Sequence, residues 1–265
     1  MIQSELLTEI STNEVPRYLA DPSYAAEEKH NGERRIICRE GNRLRIYNRE
    51  GEISQRGLPV HIINAILKHS LNSFIIDVEW VKAKNKIYIL DVYTLGITHL
   101  IGLPYKQRKN EAHKVFDSQP YMEVVRAVTG QREKTELVLH LMKTKSEGVC
   151  FKKLDAPFRQ GRSDQHKKFK FWKSLEAIVM GPNKEGHNSV EVGVYDNGVL
   201  RRICGVSLNG KPCVKIGNIV EIEYLYGTST YEVVQPNLVR IRTDKRPLDC
   251  TINQIQMNKN FVRNA

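Results

Sequence analysis

The sequence predicts an α+β fold in which a larger domain of mixed strands and helices precedes a small all-β domain. Two strongly β-prone runs, FIIDVEWV at 74–81 and KIYILDVYTL at 86–95, flank a polar turn and predict adjacent antiparallel strands. An amphipathic helix is predicted just before them, at 58–71. Beyond residue 170 the helical patterns end, and short strands punctuated by glycine follow.

Further strands and helices complete the predicted first domain. The segments IICRE and LRIYN, within 24–50, predict two short strands around a basic turn. Proline early in a first turn predicts helices from Pro104 to Phe116 and from Pro120 to Val128. The remaining predictions are a helix at 133–143, a core strand at 147–154, a loop at 156–167 and a strand at 168–180.

The second domain is predicted to hold five short strands with little helix. The five segments are LEAIVMG, VEVGVYDNG, VLRRICGVSL, NIVEIEYLYG and NLVRIRTD, and Asp196-Asn197-Gly198 is a hairpin signal. Five strands in a stretch of this length are typical of a small OB-fold β-barrel. We therefore expect one domain over 1–172 and a second over 173–265.

The charge balance favours a polyanionic partner. Lysine and arginine outnumber aspartate and glutamate by 41 to 30, which gives a net charge of +11. Nucleic acid is the expected partner, because each phosphate that a protein neutralises releases condensed counterions.

Cysteine usage and hydropathy exclude other classes of protein. The five cysteines are scattered and form no C-x-x-C pair, which argues against a disulfide framework or a structural zinc site. No apolar run approaches the ~18 residues of a membrane helix. The first residues lack the basic start and apolar stretch of a secretory signal, so we expect a cytoplasmic protein without membrane association.

Seven short motifs rich in lysine, arginine and carboxylate side chains occur in order along the chain. Each is weak alone, since a lysine before a glycine turn is usually a solvated hairpin residue. The seven are Lys29-His30-Asn31-Gly32-Glu33-Arg34, Asn48-Arg49-Glu50-Gly51, Asp77-Val78-Glu79, Leu90-Asp91, Glu147-Gly148-Val149, Lys168-Phe169-Lys170 and Arg242-Thr243-Asp244-Lys245.

In this order and spacing the motifs resemble those of the covalent nucleotidyltransferase superfamily, and within it the ATP-dependent DNA ligases in a minimal two-domain form. The resemblance spans nearly the whole chain. It implies an ATP-grasp-like nucleotidyltransferase (adenylation) domain, built of mainly antiparallel sheets with helices, before the OB-fold barrel. The implied activity is the sealing of nicks in duplex DNA through a covalent lysyl-AMP and an adenylated 5′-phosphate. ATP and Mg²⁺ are the implied cofactors, nicked duplex DNA is the implied partner, and a monomer is expected.

The chemistry of lysine is consistent with this role. A lysine amine attacks a phosphate only when it is neutral, and deprotonation near pH 7 costs roughly 4–5 kcal/mol from a reference pKa of ~10.4. Neighbouring cations such as Arg34, Lys170 and a bound metal can lower that pKa. Lys168 and Lys170 occupy alternate strand positions, so they point to one face and could clamp a phosphate.

The resemblance also implies roles for individual residues. The implied catalytic residues are Lys29, Arg34, Lys168 and Lys170. The implied metal ligands are Glu79 and Glu147. The implied nucleotide contacts are Glu27, Arg34, Arg49, Glu79, Leu90, Glu147, Lys168, Lys170, Arg242 and Lys245. Arg49 is also expected to contact the 5′-phosphate at the nick. Within the predicted loop at 156–167 the candidate phosphate-backbone contacts are Arg159, Arg162 and Lys167, with His166 beside them.

Several positions depart from the family pattern. Asn31 replaces the usual aspartate, Asn48 the usual serine and Val78 the usual glycine. Leu90 stands where the family usually has an adenine-stacking aromatic residue, although it can still cover one face of a base by dispersion. His30, beside the nucleophile, is interpreted as a bystander because the family varies there.

Other functions stay open from the residues alone. An RNA ligase would use the same lysine chemistry, but the R-x-D-K ending of an OB-like domain resembles DNA ligases and capping enzymes. An mRNA guanylyltransferase and an NAD-dependent ligase are weaker alternatives. A catalytically inactive nucleic-acid-binding OB protein is the alternative from a different class.

Overall fold

The computed structural model describes residues 2–117, 119–183 and 186–257 of the chain. It divides into two units, Met1–Lys170 and Phe171–Ala265. This division lies two residues before the boundary expected from the sequence. No helix among the described residues is long and apolar enough to cross a membrane.

The described residues of the first unit form eleven strands and four α-helices. Its strands are β1 (Glu5–Glu9), β2 (Tyr24–Lys29), β3 (Glu33–Glu40), β4 (Arg43–Tyr47), β5 (Ser73–Val81), β6 (Lys86–Leu95), β7 (Thr98–His99), β8 (Met122–Val124), β9 (Ala127–Val128), β10 (Gly148–Lys153) and β11 (Gly161–Lys170). Its helices are α1 (Val15–Ala20), α2 (Val60–Lys68), α3 (Tyr105–Phe116) and α4 (Gln131–Lys143).

These strands form two sheets. The first sheet has the order β1-β11-β10-β2-β9, and only its β1–β11 pair is parallel. The second sheet has the order β4-β3-β5-β6-β7, with β8 pairing in parallel with β6. The predicted mixed α/β character with mainly antiparallel sheets is confirmed.

The main core of the first unit lies on one face of the second sheet. Ile62 and Ile66, one helical turn apart in α2, are fully buried there. They meet alternate residues of the strands, such as Phe74 and Ile76 in β5, because successive strand side chains point to opposite faces. The opposite face of this sheet is therefore left for polar side chains.

Two sequence predictions in this unit are wrong. No helix begins at Pro120. Strands β8 and β9 cover 122–124 and 127–128 instead, and in β8 the buried residues Met122 and Val124 flank exposed Glu123. Burial of every second residue is the pattern of a strand. In the sequence, the apolar run is too short for its periodicity to distinguish a strand from a helix. The predicted loop at 156–167 becomes strand β11 from Gly161 onwards, because it pairs with β1 far away in sequence.

The second unit is a single five-stranded antiparallel sheet among the residues described. Its strands are β12 (Lys173–Pro182), β13 (Ser189–Asp196), β14 (Val199–Ser207), β15 (Ile219–Tyr224) and β16 (Asn237–Ile241), in the order β14-β13-β12-β15-β16. The β13–β14 hairpin turns at Asn197 and Gly198, with φ of 50° and 83°. Left-handed φ at both central positions is the geometry that the Asn-Gly pair favours.

Candidate active site

Lys29 is the last residue of β2, and the pairing of three strands fixes its surroundings. Gly148 in β10 lies directly opposite Lys29 on one side and Lys170 of β11 on the other. A Cβ atom on Gly148 would lie 2.1 Å from the carbonyl oxygen of Phe169, so only glycine allows this close approach of β11. In the adjacent row, Cys150 lies opposite Glu27 and Lys168. Residues opposite one another share a face, so β2, β10 and β11 bring the predicted side chains together.

Lys29 forms an ion pair with Glu147, the residue just before β10. The two atoms, Lys29 Nζ and Glu147 Oε1, are 2.8 Å apart, and the Glu147 side chain is almost fully buried. Burial acts to lower the pKa of Lys29, but the charge of Glu147 and its hydrogen bond raise that pKa above the usual value. In the free protein, Glu147 therefore raises this pKa, against the lowering expected from neighbouring cations and a bound metal.

Glu79 joins this group from the second sheet. A tight turn carries the chain from β2 into β3, and a Cβ on Gly32 would lie 2.3 Å from the carbonyl oxygen of Trp80. The amide of Gly32 donates a hydrogen bond to Glu79 Oε1 at 3.0 Å. Burial raises the pKa of Glu79 to about 7, although the charges of Arg34 and Lys29 act to lower it.

Arg34 is bound to Asp77 through two parallel hydrogen bonds. Its Nε and Nη2 atoms donate to the two carboxylate oxygens at 2.9 and 2.6 Å, and Tyr93 also donates its hydroxyl proton to this carboxylate. Asp77 is fully buried. Arg34 therefore lies beside the site, opposite Glu79 in β5, but its guanidinium is already engaged by a protein carboxylate. Val78, between the two carboxylates, points the other way into the core.

Glu27 is held by two residues of α3 that the motif series does not contain. Tyr105 donates its hydroxyl proton to Glu27, and Lys109 Nζ lies 2.8 Å from Glu27 Oε1. Lys109 also donates to the carbonyl oxygens of Leu90 and Val125, at 3.0 and 3.2 Å. This buried lysine thus ties β2 to β6. No motif of the series marks Lys109, because its partners Glu27, Leu90 and Val125 are all distant in sequence.

Lys168 and Lys170 lie on the same face of β11. Lys168 Nζ is 3.7 Å from Glu9. Burial lowers the pKa of Lys170, and the positive charges of Lys168 and Lys29 act in the same direction against the carboxylates of Glu9 and Glu147. The three lysines are therefore close enough to interact electrostatically.

Leu90 and His30 occupy apolar surroundings near this group. Leu90 packs against the buried cluster of Val81, Tyr88 and Val125. The His30 ring stacks on Tyr88, with 3.7 Å between ring centroids. Burial, with nearby lysines, lowers the pKa of His30 to about 3, so the ring is neutral at physiological pH and weakly basic.

The candidate DNA contacts have different environments. Arg49, Arg159 and Arg162 are exposed, and Arg49 follows β4 in a turn held by Asn48. Lys167 is only 14% exposed and pairs with Asp164 at 3.4 Å. His166 is buried, and burial lowers its pKa to about 2, so the idea that it lies on a loop facing phosphate is wrong.

In the second unit, Arg242 lies among three carboxylates. Its Nε and Nη2 atoms donate to Asp244 at 2.8 and 2.7 Å, and its Nη1 atom donates to Glu176 at 2.8 Å and to Glu221 at 3.5 Å. Lys245 Nζ lies 4.0 Å from Glu176. The R-x-D-K motif thus forms a fixed cluster on this unit's own sheet.

The carboxylates of the first unit fit a divalent cation that also has a phosphate ligand. Glu79 and Glu147 repel each other enough to raise the pKa of Glu79 further. No group of three or more histidine, cysteine, aspartate or glutamate side chains suited to a metal occurs in the described part of the chain. Mg²⁺ commonly uses one or two carboxylates and completes its shell with phosphate oxygens and water.

Comparisons with known proteins identify relatives of this fold. DNA ligase C1 of Mycolicibacterium smegmatis is 22% identical to this chain. The alignment is 283 positions long and covers 90% of this chain and 80% of that protein. No protein-family model matches the chain.

Solved structures give the same answer. A Lig E DNA ligase superposes with a TM-score of 0.66 at 16% identity, covering 91% of this chain and 100% of that one. The ligase domain of M. tuberculosis LigD superposes with a TM-score of 0.57 at 17% identity, covering 94% and 98%. The fold is therefore that of these ligases, and the resemblance that the ordered motifs predicted is confirmed.

Proposed function

We propose that this chain is an ATP-dependent DNA ligase that seals nicks in duplex DNA through a covalent AMP on Lys29. The observation that carries the proposal is the position of Lys29 Nζ, 2.8 Å from Glu147. Lys170 and Glu79 are near enough to interact with it electrostatically. The similarity to DNA ligase C1 and to the two ligase structures supports the same activity.

Three displacements at phosphorus make up the reaction. Lys29 Nζ forms a bond to the α-phosphorus of ATP while the bond to pyrophosphate breaks, and the amine loses its proton. An oxygen of the 5′-phosphate at the nick then bonds to the AMP phosphorus while the phosphorus–nitrogen bond to Lys29 breaks. The 3′-hydroxyl finally loses its proton and bonds to the phosphorus of the DNA 5′-phosphate, and AMP leaves. Catalysis of such steps depends mainly on positioning and on charge stabilisation.

The residues around Lys29 suit these demands. Lys168 and Lys170 place two ammonium groups on the same face as the nucleophile, where they would hold the α-phosphate. Glu27, fixed by Tyr105 and Lys109, would contact the nucleoside. Leu90 would cover one face of the base, and Arg49 would meet the 5′-phosphate of the nick.

Glu79 and Glu147 would hold the Mg²⁺ ion. When bound, the ion supplies positive charge beside the phosphates and offsets these two carboxylates. Lys29 owes its raised pKa to Glu147, so anything that neutralises Glu147 makes the amine easier to deprotonate.

The second unit would be an OB-fold domain. Five antiparallel strands support this, and the amide of Val233 donates to the carbonyl oxygen of Ile203, which links β14 to the segment after β15. Arg242 and Lys245 would orient the pyrophosphate by leaving their carboxylate partners. We propose residues 1–172 as the adenylation domain, 173–265 as the OB-fold domain, and a monomer as the active form.

A nick-sealing assay tests the proposal. The full chain is incubated with matched nicked duplexes of DNA and of RNA, each with Mg²⁺ and with either ATP or NAD. We expect joining of DNA with ATP and none with NAD. Joining of RNA alone would favour an RNA ligase. If no combination of duplex and nucleotide gave joining, the result would favour a catalytically inactive nucleic-acid-binding protein.

A further inference from the structure

Strand β4 carries arginines on one side of the second sheet's edge. It pairs only with β3 among the described strands and so lies at the end of the strand order. Its sequence, Arg43-Leu-Arg45-Ile-Tyr47, alternates exposed arginine with partly buried aliphatic residues. Leu44 and Ile46 pack against the core. Arg43, Arg45 and Tyr47 therefore point to the other face.

That other face is the one that bears the candidate active site. Reading across the sheet, Arg45 lies opposite Cys38, and Tyr47 lies opposite Ile36. In the next pair of strands, Ile36 lies opposite Asp77, and Arg34 lies opposite Glu79. Directly opposed residues share a face, and so do residues two apart in one strand. Glu79, Tyr47, Arg45 and Arg43 thus lie along one surface, in successive rows ~6.8 Å apart.

The arginines on this surface are largely uncommitted. The Arg45 side chain is 51% exposed, and its ion-pair partner, Glu40, is 3.9 Å away and itself exposed. Arg43 is exposed, and its side chain has no ion pair or hydrogen bond among the residues that the structure describes. Arg49, in the turn that follows β4, is 63% exposed and pairs with its sequence neighbour Glu50. Exposed pairs of this kind are weak and exchange readily for phosphate.

We propose that Arg43 and Arg45 form, with Arg49, a track that binds the phosphate backbone of the duplex on one side of the nick. The inference rests on the proposed function and names the DNA path that leads away from the active site. The guanidinium fork matches phosphate geometry, and the net charge of +11 agrees with such a partner. Tyr47 lies between Arg45 and Arg49 in sequence and can add a hydrogen bond from its hydroxyl group.

The spacing of the track suits a DNA strand. Alternate residues of β4 advance by ~6.8 Å. A duplex rises ~3.4 Å per nucleotide of one strand, so each step along the track covers about two nucleotides. Arg43 is three rows from Glu79, which corresponds to about 20 Å along the strands. Arg43 and Arg45 would therefore contact phosphates several nucleotides from the reacting bond, where they affect binding and not chemistry.

Salt dependence of binding tests the track. The full-length Arg43→Ala/Arg45→Ala protein is compared with the parent for binding to a nicked duplex in EDTA, which prevents sealing, between 50 and 200 mM salt. Each lost phosphate contact lowers the slope of log affinity against log salt by about 0.9. We expect the slope to fall by about 2, so that the advantage of the parent shrinks roughly tenfold over this range.

Two control proteins make the result specific. Arg132→Ala/Lys143→Ala removes the same charge from exposed positions of α4 and should keep the parent slope. Arg43→Lys/Arg45→Lys keeps the charge and should also keep it. AMP attachment to Lys29, which needs no DNA, first shows that each protein is folded.

The outcomes separate this inference from the proposed function. An unchanged slope in Arg43→Ala/Arg45→Ala, or an equal loss in the α4 control, would overturn the track. A parent that joins no nick would instead count against the ligase assignment.

Discussion

Lys29 is held as an ammonium group in the free protein, because Glu147, Cys150 and Glu79 together raise its pKa more than burial lowers it. If Lys29 is the nucleophile proposed above, this arrangement would protect it from other electrophiles before the nucleotide is bound. The same carboxylate that restrains Lys29 would become a metal ligand in the loaded site. Activation would thus be coupled to cofactor binding at the level of one ion pair.

Removing the charge of Glu147 should lower the pKa of Lys29. A charge partner at this distance shifts a pKa by about 1–3 units, so Glu147→Gln should bring the apparent pKa of Lys29 down by a similar amount. The measurement is the rate of Lys29 acetylation by an amine-reactive ester across pH 7–11, followed by peptide mass spectrometry. Lys106, an exposed lysine of α3, is the internal control. Identical Lys29 profiles in the two proteins would show that Glu147 does not set this pKa.

Glu79 should make stability depend on pH. Its pKa of about 7 lies above the ordinary 4.5, so the folded state holds this proton more tightly than the unfolded state. Its contribution to the unfolding free energy therefore falls as pH rises from about 4.5 to 7. Glu79→Gln lacks this titration, so it should gain about 2–3 kcal/mol relative to the parent between pH 5 and pH 8. Urea unfolding in metal-free buffer measures the difference, and a constant difference across pH would exclude the raised pKa.

At the scale of elements, two glycines allow neighbouring strands to approach each other closely at the candidate active site. Gly148 lies between Lys29 and Lys170, and Gly32 packs against the backbone of Trp80. Neither glycine has a left-handed φ in this structure. Glycine is needed at each position because there is no room for a Cβ atom. The lysines are therefore positioned by β-sheet pairing and not by flexible loops.

Substitution of Gly148 should be costly. The added Cβ in Gly148→Ala would lie 2.1 Å from the carbonyl oxygen of Phe169, so β11 must move. We expect a loss of about 1–3 kcal/mol in unfolding free energy, typical of overpacking, with slower AMP attachment. Gly102→Ala is the matched control, since no atom lies within 4 Å of its added Cβ. Chemical denaturation of both proteins decides, and equal stabilities would refute the close approach.

The sequence predicted the elements whose signals are local. Alternating apolar residues gave β5 and β6, and helical spacing gave α2. The order of the motifs predicted that Lys29, Glu147 and Lys170 share one site. Residues that serve the same reaction must lie close together in the fold even when they are far apart in sequence. The part of β11 before Lys168 was missed, since this polar stretch forms a strand through its pairing with the distant β1 and β10. Long-range contacts such as Lys109 with Glu27 have no local signal either.

At the scale of the whole molecule, the proposed activity combines a basic surface with covalent chemistry at Lys29. The net charge of +11 attracts a polyanion but does not name it. The fold is similar to that of DNA ligase structures, and within it Lys29 lies beside Glu147. The central claim is that Lys29 carries the nucleotide.

Mapping of the nucleotide adduct tests that claim most directly. The chain is incubated with Mg²⁺ and ATP labelled at the α-phosphate, and the labelled, acid-labile product is digested and mapped by mass spectrometry. We predict one AMP on Lys29 and no adduct in Lys29→Ala. ATP labelled only at the γ-phosphate should leave no label on the protein, because that label departs with pyrophosphate. An adduct on another residue, or an undiminished adduct in Lys29→Ala, would contradict the account.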